Sequence, residues 1–533
     1  MDASASASAG QSASSGYLGR TAEDCRIVKG TERTASLALA TAKGTGWIVG
    51  WRFATRLLGV LNTLVLARLL VPADFGLVAI ATSFSQAIDG FSELSVQEAL
   101  IREHTVDRAM YDTAFTLNAI RGVVTGLVIL AAALPVANFF AEPRLMPVLV
   151  ALALVMFASS LENIGIVDFR RDLAFEKEFL LFMVPRIIGI VAGLVVAYVW
   201  VSFWALVVGI CMTRGLRLVL SYTMHPHRPR LTIGAWRKLI GFSTWAWILS
   251  VTLLIRDRID SFVIGRVLGA TQVGAYTVGW EVGFAPAAEL VLPLTRALYS
   301  TFSNVRNAGG DIANAYFRAV SAAFLVTMPA SLGIALIANP FVQLVFGDRW
   351  IAAVPVIQVF ALVGVLKVVA LISGTLLTVY GQQASQWKIT MASLLVRFVL
   401  LLVLVSRLGL VGGALAAAAS SLLEEILYLF LTFHRFRLRP AALLLSNWRC
   451  LVATIAMAGA VVASEGWDSA ITGMNAVGFT SLSFAVLVGA LTYTVVLLAL
   501  WLASGRPGGA EAYAVGVLRA ATKALVARRG AAR

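Results

Sequence analysis

The chain has 533 residues, 59% of them hydrophobic and only 13% charged, and 43 Lys and Arg outnumber 28 Asp and Glu for a net charge of +15. Apolar segments recur along the whole length, which excludes a chain organised around one soluble core and describes an all-α polytopic membrane protein. A basic balance in a soluble chain would suggest nucleic acid. Here it matches the Lys and Arg that membrane proteins keep in cytoplasmic loops, so no nucleic-acid partner is expected.

Residues 1–43 open on MDASASASAGQSASSG and continue basic and polar. No secretory apolar region precedes a cleavage site, so this stretch is expected to be a disordered cytoplasmic tail, with the first span as the insertion signal. That span, GWIVGWRFATRLLGVLNTLVLARLL at 46–70, is long enough to cross a bilayer at about 1.5 Å per residue. It also holds Arg52 and Arg56 on one helix face. A mid-membrane arginine costs roughly 2.5 kcal/mol even on the lowest scale, so both are expected to face a cavity, or partners such as Asp89 or Glu93 of the next segment.

Spans over 75–96, 113–137, 145–165, 179–199 and 203–222 complete a first six-helix lobe, 44–222. HPHRPRLTIGAWRK falls in a basic, Pro-interrupted cytoplasmic linker, 223–238. A second lobe, 239–435, holds spans over 239–259, 273–298, 319–338, 352–378, 385–405 and 410–433. A last pair, 450–464 and 479–502, lies within 436–505 and leads to a basic cytoplasmic tail, 506–533. The prediction is about fourteen transmembrane helices: two parallel six-helix lobes plus a C-terminal helix pair. Lys and Arg concentrate in the loops on the N-tail side, which puts both termini in the cytoplasm.

The chain echoes itself about 200 residues on. ARLLVPADFGLVAI, with Arg68 and Gly76, recurs as GRVLGATQVGAYTV, with Arg266 and Gly274, and the same spacing sets Trp47 on Trp245 and Asn62 on Asp260. EPRLMPVLVALALV parallels GDRWIAAVPVIQVFALV, and Lys177 and Arg186 match Lys388 and Arg397 at one common offset. An even number of spans per half gives both halves the same orientation, related by an axis along the membrane normal.

The expected spans carry many charges, and a hydrated cavity between the two bundles is the physical expectation. Arg52, Arg56, Arg121, Arg186, Lys367 and Arg397 are its candidate cations, suited to an anionic ligand. Asp89, Glu93, Glu162, Asp257, Asp260, Glu281 and Glu424 are candidate cavity carboxylates or ion-pair partners. Arg256 with Asp260 at i, i+4 and Arg121 with Asp89 are the expected pairs. Glu424 and Glu425 could instead take up protons or sodium. No GxSxG, P-loop or HExxH occurs, and Cys25, Cys211 and Cys450 have no paired spacing, so neither enzyme chemistry, a metal nor a cofactor is expected.

LARLLVPADFG (66–76), SELSVQEALIRE (92–103), FRRDLAFEKEF (169–179), IGRVLGATQVGAY (264–276) and FGDRWIAAVPVIQVFAL (346–362) together resemble motifs of a known family over about 44–437. The chain is similar to the polysaccharide transporter family of the multidrug/oligosaccharidyl-lipid/polysaccharide flippase superfamily, in its Wzx-like branch. The resemblance implies a flippase in the cytoplasmic (inner) membrane that moves undecaprenyl-pyrophosphate-linked oligosaccharide by alternating access, for exopolysaccharide or lipopolysaccharide synthesis. It implies no catalytic residue. Arginines grip the pyrophosphate in similar lipid II flippases, and by position Arg52 and Arg56 are the candidates. A polysaccharide polymerase and export machinery are further implied partners, and the basic cytoplasmic surface is itself expected to hold anionic membrane lipids. A cation-coupled multidrug exporter of the same superfamily, and a membrane glycosyltransferase or polymerase, stay open as alternatives.

Overall fold

A computed structural model of the chain describes Thr55 and residues 58–91, 100–101, 106–172, 174–236, 244–472, 479–507, 509–512 and 516. Almost all of these are helical, and no strand occurs among them. The first half comprises α1 (Leu58–Leu69), α2 (Pro72–Phe91), α3 (Arg108–Phe139), α4 (Leu145–Ser160), α5 (Phe175–Trp200) and α6 (Trp204–Met224). The second comprises α7 (Thr244–Leu268), α8 (Ala270–Asn307), α9 (Ile312–Val345), α10 (Val354–Val379) and α11 (Gln383–Phe436). The final pair is α12 (Pro440–Thr472) and α13 (Phe479–Ala503).

All fourteen expected spans fall wholly or partly on helix. Two of them share α11, which Gly409 breaks with φ 60° and ψ −136°, a backbone state that a Cβ would oppose. Among the described residues, eight helices are long and apolar enough to cross a membrane, and a ninth span forms if α4 is joined to the segment Ile164–Arg171, bent from it by 71°. A count of fourteen is consistent with this. Of the helices that fall short, α1 is described only over Leu58–Leu69, whereas α2, α7 and α8 pack between the halves and need not be apolar all round. Large apolar side chains such as Leu127, Leu154, Leu395, Phe430 and Leu487 are exposed on the outer surface, as lipid contact allows.

The halves meet symmetrically. A Cβ on Gly76 would overlap the carbonyl oxygen of Ala270, and one on Gly274 would overlap that of Pro72. Pro72 and Ala270 are themselves repeat partners, so one close contact between α2 and α8 is made twice, once from each side. Two arginines cross at the same end of the bundle. Arg68 donates to the Leu344 carbonyl at the end of α9, and its repeat partner Arg266 lies 5.4 Å above the ring of Phe139 at the end of α3. The fully buried Trp350, in the α9–α10 corner, donates Nε1–H to the Ala67 carbonyl of α1 at 2.9 Å.

The linker between halves is a strap laid on the first half. Backbone N–H groups of Arg230, Thr232 and Ala235 donate to Asp112 Oδ1 (3.0 Å), Thr116 Oγ1 (2.9 Å) and Thr113 Oγ1 (3.2 Å) on α3. Asn163 Nδ2 holds the His227 carbonyl at 2.7 Å. Burial pushes the His225 pKa below its ordinary value, against the opposing pull of Asp168. The neutral ring accepts from the His227 N–H through Nδ1 at 3.2 Å, which leaves the proton on Nε2, 3.3 Å from Asp168 Oδ2.

The C-terminal pair docks where α9 lacks a hydrogen bond. Pro329 has no N–H to give to Leu325, four residues earlier. Tyr493 of α13 donates to that carbonyl at 2.7 Å, and Cys450 of α12 lies 3.4 Å from the Phe324 carbonyl and 3.1 Å from the Tyr493 hydroxyl. Replacing Tyr493 with Phe should therefore destabilise the protein by about 1 kcal/mol, the scale of an interhelical hydrogen bond in a membrane, read as a lower unfolding temperature in detergent. Gly76→Ala combined with Gly274→Ala should push the α2–α8 contact apart. The overpacking cost of about 1–3 kcal/mol corresponds to roughly a 5- to 150-fold loss of the closed arrangement, measured as lost disulfide cross-linking between cysteines placed at Pro72 and Ala270.

Candidate functional site: a cationic cavity in the first half

A cavity of about 430 Å³ lies among α1, α2, α4, α5 and α6. Its polar lining includes Asn62 from α1, Thr82, Ser85 and Gln86 from α2, and the cations Arg186, Arg214 and Arg217 from α5 and α6. The guanidinium of Arg186 rests against α1 at Gly59, where a Cβ would stand 2.8 Å from Nη2. A side chain at position 59 would displace it. Arg214 and Arg217 are three apart on α6, so both face the same space. Arg217 makes a two-pronged bond to Glu162, Nε to Oε1 at 2.7 Å and Nη2 to Oε2 at 2.8 Å, and lies 5.2 Å above the ring of Phe182. Beside this group, Arg121 pairs with Asp89 at 3.7 Å, as expected.

The second half handles its charges differently. Asp260, Arg397 and Tyr276 are all buried. Arg397 forks onto Asp260, with Nε donating to Oδ1 at 2.8 Å and Nη2 to Oδ2, and the Tyr276 hydroxyl donates to the same carboxylate. The expected i, i+4 pair of Arg256 with Asp260 does not form. Bidentate guanidinium geometry from a neighbouring helix suits Asp260 better than a pair along its own helix, and Arg256 turns to Glu424 (2.8 Å) and Asp257 (3.0 Å). Lys367 joins Glu424 from α10 at 2.7 Å. Glu425 is buried beside this cluster, and Glu281 lies half-buried on α8.

The sequence-expected cations therefore separate into two groups. Arg121 and Arg186 belong to the first half, Lys367 and Arg397 to the second. Arg52, Arg56 and Glu93 lie outside the described residues. The cavity that holds Arg186 sits inside the first half, in addition to the chamber between the bundles that the sequence leads one to expect. Arg214 and Arg217 were missed by sequence reasoning, although their position inside the expected 203–222 span was signal enough. Among the described residues, four arginines at or beside the cavity, Arg121, Arg186, Arg214 and Arg217, face two carboxylates, Asp89 and Glu162. In the second half Arg256, Lys367 and Arg397 face Asp257, Asp260, Glu424 and Glu425. The first cluster is electropositive and can hold an anion.

Residues 65–355, more than half of the chain, match the family described as polysaccharide biosynthesis protein. An uncharacterized membrane protein in the cps region of Klebsiella pneumoniae is 23% identical over 402 residues, 74% of this chain and 83% of that protein. Lipopolysaccharide biosynthesis protein WzxC of Escherichia coli (strain K12) is 24% identical over 350 residues, 65% of this chain and 70% of the relative. Among solved structures, the lipid II flippase MurJ in its inward closed conformation aligns at a TM-score of 0.71 with 12% identity, covering 86% of this chain and 99% of that one. That likeness is one of fold. With the helical architecture, the internal repeat and the family match in agreement, the chain belongs to the polysaccharide biosynthesis protein family, as a multi-pass membrane protein.

Proposed function

We propose that the protein is a flippase that carries undecaprenyl-pyrophosphate-linked oligosaccharide across the cytoplasmic membrane for exopolysaccharide or lipopolysaccharide synthesis. The observation that carries this reading is the arginine excess around the first-half cavity. A pyrophosphate offers several anionic oxygens, pairs of which on one tetrahedral phosphorus match the two N–H groups of a planar guanidinium fork. Arg186 and Arg214 are its principal ligands, with Arg217 held in place by Glu162. Arg52 and Arg56, outside the described residues, are further candidate ligands by their place in the sequence. Lobes 44–222 and 239–435 rock against one another, making and breaking the α2–α8 contact, so the headgroup is exposed first to one leaflet and then to the other while the lipid tail stays in the bilayer. With both termini in the cytoplasm, the α1–α2, α7–α8 and α9–α10 corners face outward, and the Gly76–Gly274 contact closes the extracytoplasmic side. The names WzxC and MurJ, and the MurJ-like fold, support transport over sugar-transfer chemistry.

The test is a variant with Arg186→Gln and Arg214→Gln together, expressed in cells that lack the chromosomal copy. Each lost charge-assisted contact should weaken headgroup binding by roughly 10- to 100-fold, so lipid-linked oligosaccharide should accumulate on the inner leaflet at normal protein levels. Normal export from a well-expressed double variant would refute the proposal. Arg214→Lys keeps the charge but loses the fork, and export should fall between wild type and the Gln variant.

A further inference from the structure

We propose that Asn62 sets the anion selectivity of the first-half cavity, by leaving without negative charge a position that the other half fills with aspartate. The inference rests on the cavity being the headgroup site. The repeat supplies an internal control, because the two halves solve the same geometry with different residues. Asn62 on α1 corresponds to Asp260 on α7, and Arg186 on α5 corresponds to Arg397 on α11. Both arginines reach the same equivalent helix. Arg397 forks onto Asp260 of α7, while Arg186 lies on α1 at Gly59, one turn before Asn62.

At the spacing that sets Asn62 on Asp260, Val78 corresponds to Tyr276. In the second half the Tyr276 ring is buried, donates to Asp260 and stands edge-on to Phe360 at 5.6 Å. In the first half Val78 lines the open cavity, and so does Leu152, which meets Phe360 when Pro147 is set on Pro355. Tyrosine and phenylalanine fill one site, and valine and leucine leave the other hollow. Aspartate neutralises one arginine, and asparagine leaves position 62 uncharged beside the other. Asn62 Oδ1 is buried without a hydrogen-bond partner among the described residues. Such an orphan acceptor suits a donor brought by a ligand, for example a sugar hydroxyl beside the phosphates. The second half is therefore a locked copy of the site, and the first half is the copy left open.

The experiment measures binding of inorganic pyrophosphate to the purified full-length protein in detergent by titration calorimetry. Wild type should bind. Asn62→Asp should weaken binding at least about ten-fold without lowering the unfolding temperature, because it builds in the first half the pair already present in the second. Asn62→Gln, uncharged, should stay within about three-fold of wild type, corresponding to less than 1 kcal/mol. Val78→Tyr should reduce binding by occupying the space. Wild-type affinity in Asn62→Asp, an equal loss in Asn62→Gln, or no binding by wild type would each overturn the proposal. The flippase reading fails separately. If pyrophosphate binding follows position 62 while cells without the protein still export lipid-linked oligosaccharide, the site stands and the transport assignment falls.

Discussion

A charge inside hydrocarbon must be paired or wet, and this constraint accounts for more of the molecule than any single contact. The second half satisfies it mainly by pairing, Glu425 alone of the named carboxylates having both oxygens buried without a hydrogen-bond partner among the described residues. Asp260 receives Arg397 and Tyr276, and Glu424 receives Arg256 and Lys367, so five ionic groups are tied into the bundle. The first half satisfies it by keeping space. Among the described residues its arginines outnumber its carboxylates, and they border a cavity of about 430 Å³. A buried pair contributes modestly to stability but penalises any arrangement that separates its members. The second half should accordingly behave as the rigid partner and the first as the half that admits a ligand.

The internal repeat turns this difference into something close to a controlled comparison. Where function needs likeness, the halves are alike: Gly76 and Gly274 meet reciprocally against Ala270 and Pro72, and Arg68 and Arg266 each reach across to the opposite half. Where function needs difference, they differ at a few positions on equivalent helices, Asn62 against Asp260 and Val78 against Tyr276. Duplicated folds can divide labour in this way because the backbone geometry is shared, so changing two side chains converts a filled ion pair into an open site.

Much of the fold was legible because apolar length is a strong signal and recurs in all the expected spans. The repeat was legible too, through the Arg68/Gly76 and Arg266/Gly274 blocks. Partners were not. Asp260 and Arg256 are four apart on one helix, which favours their pairing in an isolated segment, but the tertiary fold brings Arg397 from a distant stretch and its fork wins. The linker was legible as basic and Pro-interrupted. Nothing in it announced that its amide groups would dock onto Asp112, Thr113 and Thr116, because docking depends on which helix end lies beneath it. The first-half cavity was not foreseen, because charge counts locate polar residues along the chain but not around a helix axis. Arg214 and Arg217 show the reverse case, visible by position and passed over among apolar neighbours.

Helix α2 links the symmetric contact to the site. Gly76, at its first turns, touches α8, while Val78, Thr82, Ser85 and Gln86 further along form one wall of the cavity. Gln86 also bonds to Arg258 of α7. One straight helix cannot separate from α8 at Gly76 without moving those wall residues, since a helix transmits displacement along its length far more readily than it bends. If parting the halves shifts α2 against the rest of its own half, the cavity changes shape with it, and an anion that binds one of the two shapes more tightly then biases whether they part. Coupling of this kind needs no pathway of intermediates, only an element with two arrangements that both sites favour differently. Here α2 belongs to the contact and to the site at once.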